Sequence, residues 1–230
     1  MRVLSRVKYW VCRPLSARTY WSVMGKLKPV GAVTSTHGDI ERSMASGAEV
    51  VTLLQGLGVV HADAVTLHIG SGLGRVEQHL SAHVQRCHGT DISPSMVARA
   101  NELVTADNVE FVCTDGRGLG PWDDGTFDLV YSFLVFQHLP RQQFHRYVEE
   151  AHAKLKEGGH FVFQILVDEH ESHPEPPPSH PYGIRYYRRA DVEGVLRRAR
   201  FAQVRRTDPH GRADDGSRSV GDVVFCAVKE

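Results

Sequence analysis

The sequence predicts an α/β fold of alternating strands and helices, and three observations carry that prediction. Val65, Thr66, Leu67 and Ile69 form a β-branched and apolar run that reads as a buried strand. This run passes directly into Gly70-Ser71-Gly72-Leu73-Gly74 and then into a helical pattern with Val76 and Leu80 on one face. Further apolar strands recur downstream, separated by helical stripes, as they do when helices cover a sheet. A strand, a bare turn and a helix start in this order make a cradle for a nucleotide-like ligand, because glycine lets the chain bend and lets a ligand approach the backbone. A dinucleotide fingerprint needs G-x-G-x-x-G, but the sixth position counted from Gly70 is Arg75. The turn therefore points to a ligand without a pyrophosphate.

The other elements follow in chain order. Residues before Lys28 include Arg2, Arg6, Lys8, Arg13, Arg18 and Lys26 but no acid, and Asp39 is the first carboxylate. Val3, Leu4, Val7, Trp10 and Val11 give this arm an amphipathic spacing until Pro14 stops it. Three readings of the arm stand open: a solvated segment packed on its own domain, a helix lying on a membrane surface, and an Arg-rich organellar leader. Gly47–Leu57 carries a helical stripe of Val50, Val51, Leu53, Leu54 and Leu57, read as core packing. Residues 1–46 are thus taken as a basic, aromatic arm and cap, and 47–230 as the main domain.

After the glycine turn, Arg86–Thr90 is a short strand ending in Asp91. Asp91 lies about 20 residues past the glycines, where an acid at the end of a second strand meets a ribose diol. Ser93 is the expected N-cap and Pro94 the first residue of a helix whose face is Met96, Ala100 and Val104. Val109–Cys113 is the third strand, and Asp115 at its carboxyl end is placed to accept from an exocyclic amine. Phe127–Tyr131 is the fourth strand and runs into the rim segment Ser132–Pro140. Phe144, Val148, Ala151 and Leu155 mark a helix closed by Gly158-Gly159, and His160–Val167 is the fifth strand.

Asp168 to Gly183 contains Pro174, Pro176, Pro177, Pro178 and Pro181 and is expected to be a long surface loop covering the substrate. His170, His173 and His180 stand there beside acids, but their irregular spacing on a loop argues against a metal. Ala190–Arg200 reads as a helix, and Phe201–Arg206 and Asp222–Lys229 as two strands. The last strand is apolar nearly throughout, so it belongs inside the sheet. The arginines of the Arg185–Arg218 stretch read as a solvated face, with an anionic substrate as the alternative.

Composition narrows the function. The chain has 230 residues, 41% hydrophobic, with 27 basic and 27 acidic side chains. A zero net charge gives no general case for binding nucleic acid. Cys12, Cys87, Cys113 and Cys226 form no C-x-x-C pair, which fits reduced thiols in the cytoplasm. No apolar run reaches the ~18 residues needed to span a membrane. The expected location is cytoplasmic, with peripheral membrane contact through the arm as one of its three readings.

In order and spacing, the stretches LHIGSGLGR, HGTDISPSM, VEFVCTDG, FDLVYSFLVFQHLP and LKEGGHFVFQ and the terminal strand pair resemble the class I S-adenosylmethionine-dependent methyltransferases, of the small-molecule type. The resemblance spans roughly Gly47 to Lys229. It implies a Rossmann-like seven-stranded, mostly parallel sheet in the order 3-2-1-4-5-7-6, its last strand antiparallel, with helices on both faces. S-adenosylmethionine is the implied cofactor. Gly70, Ser71, Gly72 and Gly74 match the loop beneath the methionine moiety, Asp91 the acid on the ribose, and Ile92 and Met96 the apolar contacts near the adenine. Asp115 and Gly116 match the adenine edge, and Ser132, Phe133 and Gln137 the rim after the fourth strand.

His68 stands where the family usually has Asp or Glu. An imidazole there accepts a hydrogen bond but brings no full negative charge. Glu157 replaces the proline of the usual L-K-P-G-G turn. The implied reaction is methyl transfer to a small molecule, a sugar or lipid-linked hydroxyl or a secondary metabolite, with His138 as the candidate general base. The alternative is a non-catalytic cofactor-binding or scaffold protein. No metal and no nucleic acid partner are expected, and nothing indicates an oligomeric state.

Overall fold

The computed structural model describes residues 16–28, 39–177 and 183–230. Its centre is a seven-stranded sheet: β1 Val65–Ile69, β2 Arg86–Asp91, β3 Val109–Cys113, β4 Phe127–Ser132, β5 Leu155–Asp168, β6 Phe201–Thr207 and β7 Val220–Lys229. The strand order is β3-β2-β1-β4-β5-β7-β6, as the resemblance implied. β1 to β5 pair in parallel, while β7 is antiparallel to both β5 and β6. β7 therefore lies inside the sheet, where its apolar run Val223–Ala227 is buried. The helices are α1 Ala17–Leu27, α2 Ile40–Ala45, α3 Gly47–Gly56, α4 Glu77–Leu80, α5 Pro94–Leu103, α6 Arg141–Lys154 and α7 Arg189–Arg198.

Alternation along the strands splits the core into two layers. Leu67, Ile69 and Val130 pack with Phe144, Val148, Phe161 and Phe163 under α6 and α7. Leu129, Tyr131 and Cys87 pack with Val51, Leu54, Val76 and Leu80 under α3 and α4. A smaller cluster of Leu73, Met96, Ala100, Val104 and Phe111 holds α5 on β3. Each fully buried Phe or Leu contributes about 1.5–3 kcal/mol.

Two boundaries differ from expectation. The helix after the glycine turn is a single α-helical turn, Glu77–Leu80, followed by a tighter turn over Ser81–His83. Val76 is only its N-cap, because the turn conformation persists through Gly74 at φ +76°. α6 ends at Lys154 rather than at the glycine pair, since Leu155 is already extended and pairs with Phe127. Gly158, at φ +76°, lies in a kink within β5, where the register shifts between Phe127 and Leu129. Met1 to Pro14, on which the amphipathic reading of the arm rests, lies outside the described residues, as does His180. Among the described residues no helix is long and apolar enough to cross a membrane.

Candidate functional site

A cavity of about 620 Å³ opens at the carboxyl ends of β1, β2, β3 and β4. That volume lies within the ~300–1,000 Å³ of small-molecule and cofactor sites. The turn after β1 supplies one wall through Gly70 and Gly72. Gly70 is required there on two grounds: its φ is +77°, and a Cβ would lie 2.3 Å from Val135 Cγ2. The Gly72 amide donates to Asp91 Oδ2 at 3.0 Å, and the Ser93 amide donates to Asp91 Oδ1 at 2.8 Å. One carboxylate thus joins the turn after β1 to the start of α5. Burial raises the Asp91 carboxyl above the usual carboxylate range, opposed by those two amides and by the nearby His68. Each carboxylate oxygen keeps a further lone pair for a ligand hydroxyl.

α5 begins as its sequence dictates, with the Ser93 side chain accepting from Met96 N and Pro94 at the first position. That start brings Ile92 and Met96 to the cavity. Asp115 is on the opposite lip, exposed, and accepts from the Arg117 amide at 2.8 Å. Gly116, at φ +77°, leaves room for Ile92, whose Cδ1 a Cβ would meet at 2.7 Å. The Gly116 carbonyl accepts from Gln143 Nε2 at 2.5 Å and from the Tyr147 hydroxyl at 2.8 Å, so α6 fixes this lip. The two acids and the two glycines face one cavity.

The rim after β4 contributes Phe133, Leu134, Val135, His138, Leu139 and Pro140. Leu134 has φ +64°, a conformation that costs a non-glycine residue about 1–3 kcal/mol. The rim is held from a distance. Arg185, which is fully buried, donates its amide to Gln137 O at 2.7 Å and Nη1 to His138 O at 3.0 Å. Its Nη2 donates to Pro177 O at 3.1 Å, and Glu175 stands 3.6 Å from its Nε. Arg141 completes this link through Glu175 at 2.6 Å and the Tyr186 carbonyl at 2.7 Å.

Of the residues anticipated at the site, Gly70, Gly72, Asp91, Ile92, Met96, Asp115, Gly116, Phe133 and His138 line the cavity. His68, Ser71, Gly74, Ser132 and Gln137 do not. Gly74 faces α5 and β3, where a Cβ would lie 2.6 Å from Phe111 Cζ. The Ser132 hydroxyl donates to Ile69 O at 3.0 Å, tying β4 to β1. Gln137 is buried and carries the carbonyl that accepts from Arg185. Ser71 is buried against β2. His68 is also buried, its Nδ1 2.6 Å from Glu77 Oε1 and its ring stacked on Tyr131 at 4.4 Å.

The cap was missed. Ser16, Ala17, Arg18 and Trp21 of α1 and its N-cap line the cavity, and Trp21 meets the His138 ring edge-on at 5.4 Å. The Ser93 and Ser95 hydroxyls donate to Trp21 O and Ser22 O, and Gly25 lies against Ser95 and Met96. The one available signal was Trp21 on an arm without acids. The Asp168 carboxylate accepts from the Ser172 hydroxyl, the His170 and His173 amides and His173 Nδ1. Burial pushes this carboxyl up, but those donors outweigh it and hold Asp168 well below the usual range. The C-terminal arginines are largely occupied: Arg189 pairs with Asp214 at 2.6 Å and Glu169 at 2.9 Å, and Arg206 with Glu193 at 3.0 Å.

Comparison with known proteins agrees with this geometry. Residues 67–163 match the family model of a methyltransferase domain. The chain is 30% identical over 115 residues, 46% of its length and 42% of the relative's, to the 18S rRNA (guanine-N(7))-methyltransferase bud23 of Schizosaccharomyces pombe. It is 29% identical over 99 residues, 41% of its length and 28% of the relative's, to the chloroplastic tocopherol O-methyltransferase of Arabidopsis thaliana. The chain thus spans less than half the length of these relatives. An S-adenosylmethionine-dependent methyltransferase of Mesorhizobium loti superposes with a TM-score of 0.64 at 18% identity, covering 80% of this chain and 99% of that one. The fold is that of the class I S-adenosylmethionine-dependent methyltransferases, and the match to a methyltransferase domain covers residues 67–163.

Proposed function

We propose that this chain, having that fold and domain, binds S-adenosylmethionine in the cavity and transfers its methyl group to the hydroxyl of a small molecule. The observation that carries the reading is the placement of Asp91, Asp115, Gly70 and Gly72 on one cavity of about 620 Å³. The residues fit the cofactor: the turn excludes side chains where Gly70 stands, and Asp91 keeps acceptor capacity for a diol while its amide partners hold it still. Asp115 and Gly116 would take the adenine edge, with Ile92 and Met96 against the ring. When bound, S-adenosylmethionine supplies a methyl group already activated on a sulfonium.

The protein's work is then largely positioning, which is worth effective molarities of ~10⁵–10⁸ M. The cap and the rim close the cavity from above, with Trp21 against His138. His138 is the group placed to take the proton of an acceptor hydroxyl, a contribution of ~10²–10⁴ in rate. The tocopherol O-methyltransferase relative supports an oxygen acceptor, and the neutral net charge weighs against nucleic acid. The rRNA methyltransferase relative is the one observation favouring a second reading, in which the acceptor is a guanine in RNA.

The test incubates the full chain with methyl-labelled S-adenosylmethionine and either a metabolite pool or ribosomal RNA. Release of S-adenosylhomocysteine with a one-methyl mass gain in a metabolite is the expected result, and label in RNA selects the second reading. Cofactor binding without turnover on either pool would mark a scaffold. His138→Ala is expected to lower turnover ~10²-fold or more. Unchanged turnover removes His138 as the base.

A further inference from the structure

Among the described residues, the large apolar side chains left exposed are Val23, Leu27, Ile184 and Val220, at 41%, 73%, 46% and 41%. Single residues of this kind are ordinary on a protein surface, so the information lies in where they stand. All four stand at the end of the sheet where the cavity opens. Val23 and Leu27 belong to α1, which the Ser93 and Ser95 hydroxyls tie to the start of α5, just past the end of β2. Ile184 precedes Arg185, whose amide donates to Gln137 O on the rim. Val220 pairs with Asp168, the last residue of β5.

α1 has two faces. Tyr20 and Gly25 are buried, and Trp21 lines the cavity beneath. Val23 and Leu27 are four residues apart and so lie one above the other on the outer face, with Arg18, Lys26 and Lys28 exposed around them. The helix carries no acid, and the first carboxylate of the chain is Asp39. Asp115, which lines the cavity as Arg18 does, has Arg117 as its own cation at 4.0 Å. Apolar side chains ringed by lysines and free of acids complement a layer that is anionic at its surface and apolar just below, since a lysine stem can lie along the apolar part while its ammonium stays in the polar part. A protein partner calls for one contiguous apolar patch. Here the four residues are spread from the end of β2 to the start of β7, which suits a flat, extended surface better.

We infer that this end of the molecule docks on an anionic lipid bilayer. α1 lies in the interface, with Val23 and Leu27 at the acyl boundary and Lys26 and Lys28 among the headgroups. Ile184 and Val220 extend the contact past the rim. The mouth of the cavity, between α1 and the rim, then faces lipid. Of the three readings of the basic arm, this one selects the membrane surface and puts the contact on α1.

Co-sedimentation of the full chain with vesicles tests this. The vesicles are phosphatidylcholine alone and phosphatidylcholine mixed with phosphatidylglycerol. Wild type is expected to bind the mixture, to dissociate from it as salt screens the charges, and to bind phosphatidylcholine alone about tenfold more weakly. Val23→Ser combined with Leu27→Ser alters no charge and is expected to keep the melting temperature of wild type while weakening binding to the mixture about tenfold. Lys26→Gln and Lys28→Gln are each expected to weaken it about fivefold. Absence of binding to the mixture overturns the inference. So does a double serine variant that binds as wild type does, which puts the contact elsewhere on the chain. Self-association that the serine pair abolishes, without vesicle binding, also overturns it and marks the face as a protein interface. None of these outcomes involves the cofactor, so the methyl-transfer reading stands or falls separately.

Discussion

The two walls of the cavity are built by opposite means. The turn wall, Gly70–Gly72 with Asp91, is made of neighbours in register: β1 lies beside β2, and one carboxylate accepts from the turn and from the next helix start. The rim wall, Phe133–Pro140, is held by Arg185, 47 positions beyond the His138 carbonyl that it bonds, with Glu175 bridging Arg185 to Arg141. Local geometry sets the first wall, so it tolerates little change in residue type. Side-chain bonds to backbone carbonyls set the second, so it depends on a few long cations staying paired. The proposed methyl transfer would use both: a rigid seat for the cofactor and a rim suited to the acceptor.

Four substitutions sharpen that contrast, and the largest effect is expected on the turn wall. Asp91→Ala removes the bonds to Gly72 and Ser93 and the proposed ribose acceptor together. A charged hydrogen bond is worth about 1.5–3 kcal/mol, so S-adenosylhomocysteine affinity is expected to fall roughly 10- to 100-fold by calorimetry. Asp115→Ala, on the exposed lip, is expected to cost less. Equal losses would mean that the exposed lip holds the ligand as firmly as the buried carboxylate between the turn and α5.

Arg185→Met comes next. It strands the carbonyls of His138 and Pro177, at about 1–3 kcal/mol for each buried group left unsatisfied. The expected result is a lower melting temperature and faster proteolytic cleavage between residues 169 and 187, with a smaller loss of cofactor affinity than Asp91→Ala gives. A variant as protease-resistant as wild type would show that the rim holds itself.

The smallest effect concerns pH. Asp168 is held below its unfolded value, so its contribution is fully present above about pH 4 and is lost as pH falls through the folded value. Protease sensitivity of residues 169–177 is therefore expected to rise on acidification below pH 4 in wild type. Asp168→Asn is expected to be sensitive already at neutral pH and flat with acid. A wild-type profile that does not change below pH 4 would remove Asp168 as the anchor of this segment.

Legibility followed the same division. The strands, the N-cap at Ser93 and the acids at the ends of β2 and β3 were readable because each depends on spacing within a few residues. The helix after the glycine turn was overread, since Val76 and Leu80 are both buried although only one helical turn separates them. His68 and Gln137 were placed at the cavity by position in a pattern. In the fold both are buried, His68 bonded to Glu77 and Gln137 giving its backbone carbonyl to the Arg185 amide. Nothing local announces that Glu77 or Arg185 would be buried, because a charged residue in a helical or loop stretch reads as solvated.

Sequence alone determined the α/β class, the strand order carried by the family pattern, and the glycine and carboxylate positions that end up on one cavity. Those follow from backbone conformation and from hydrophobic periodicity, which are short-range. Only the tertiary structure decided that α1 roofs the cavity, that a buried Arg185 holds its rim, and that the missing charge at position 68 has a carboxylate beside it. Each of those depends on partners brought together by the sheet, and a polar side chain's worth is set by what it meets when water is gone.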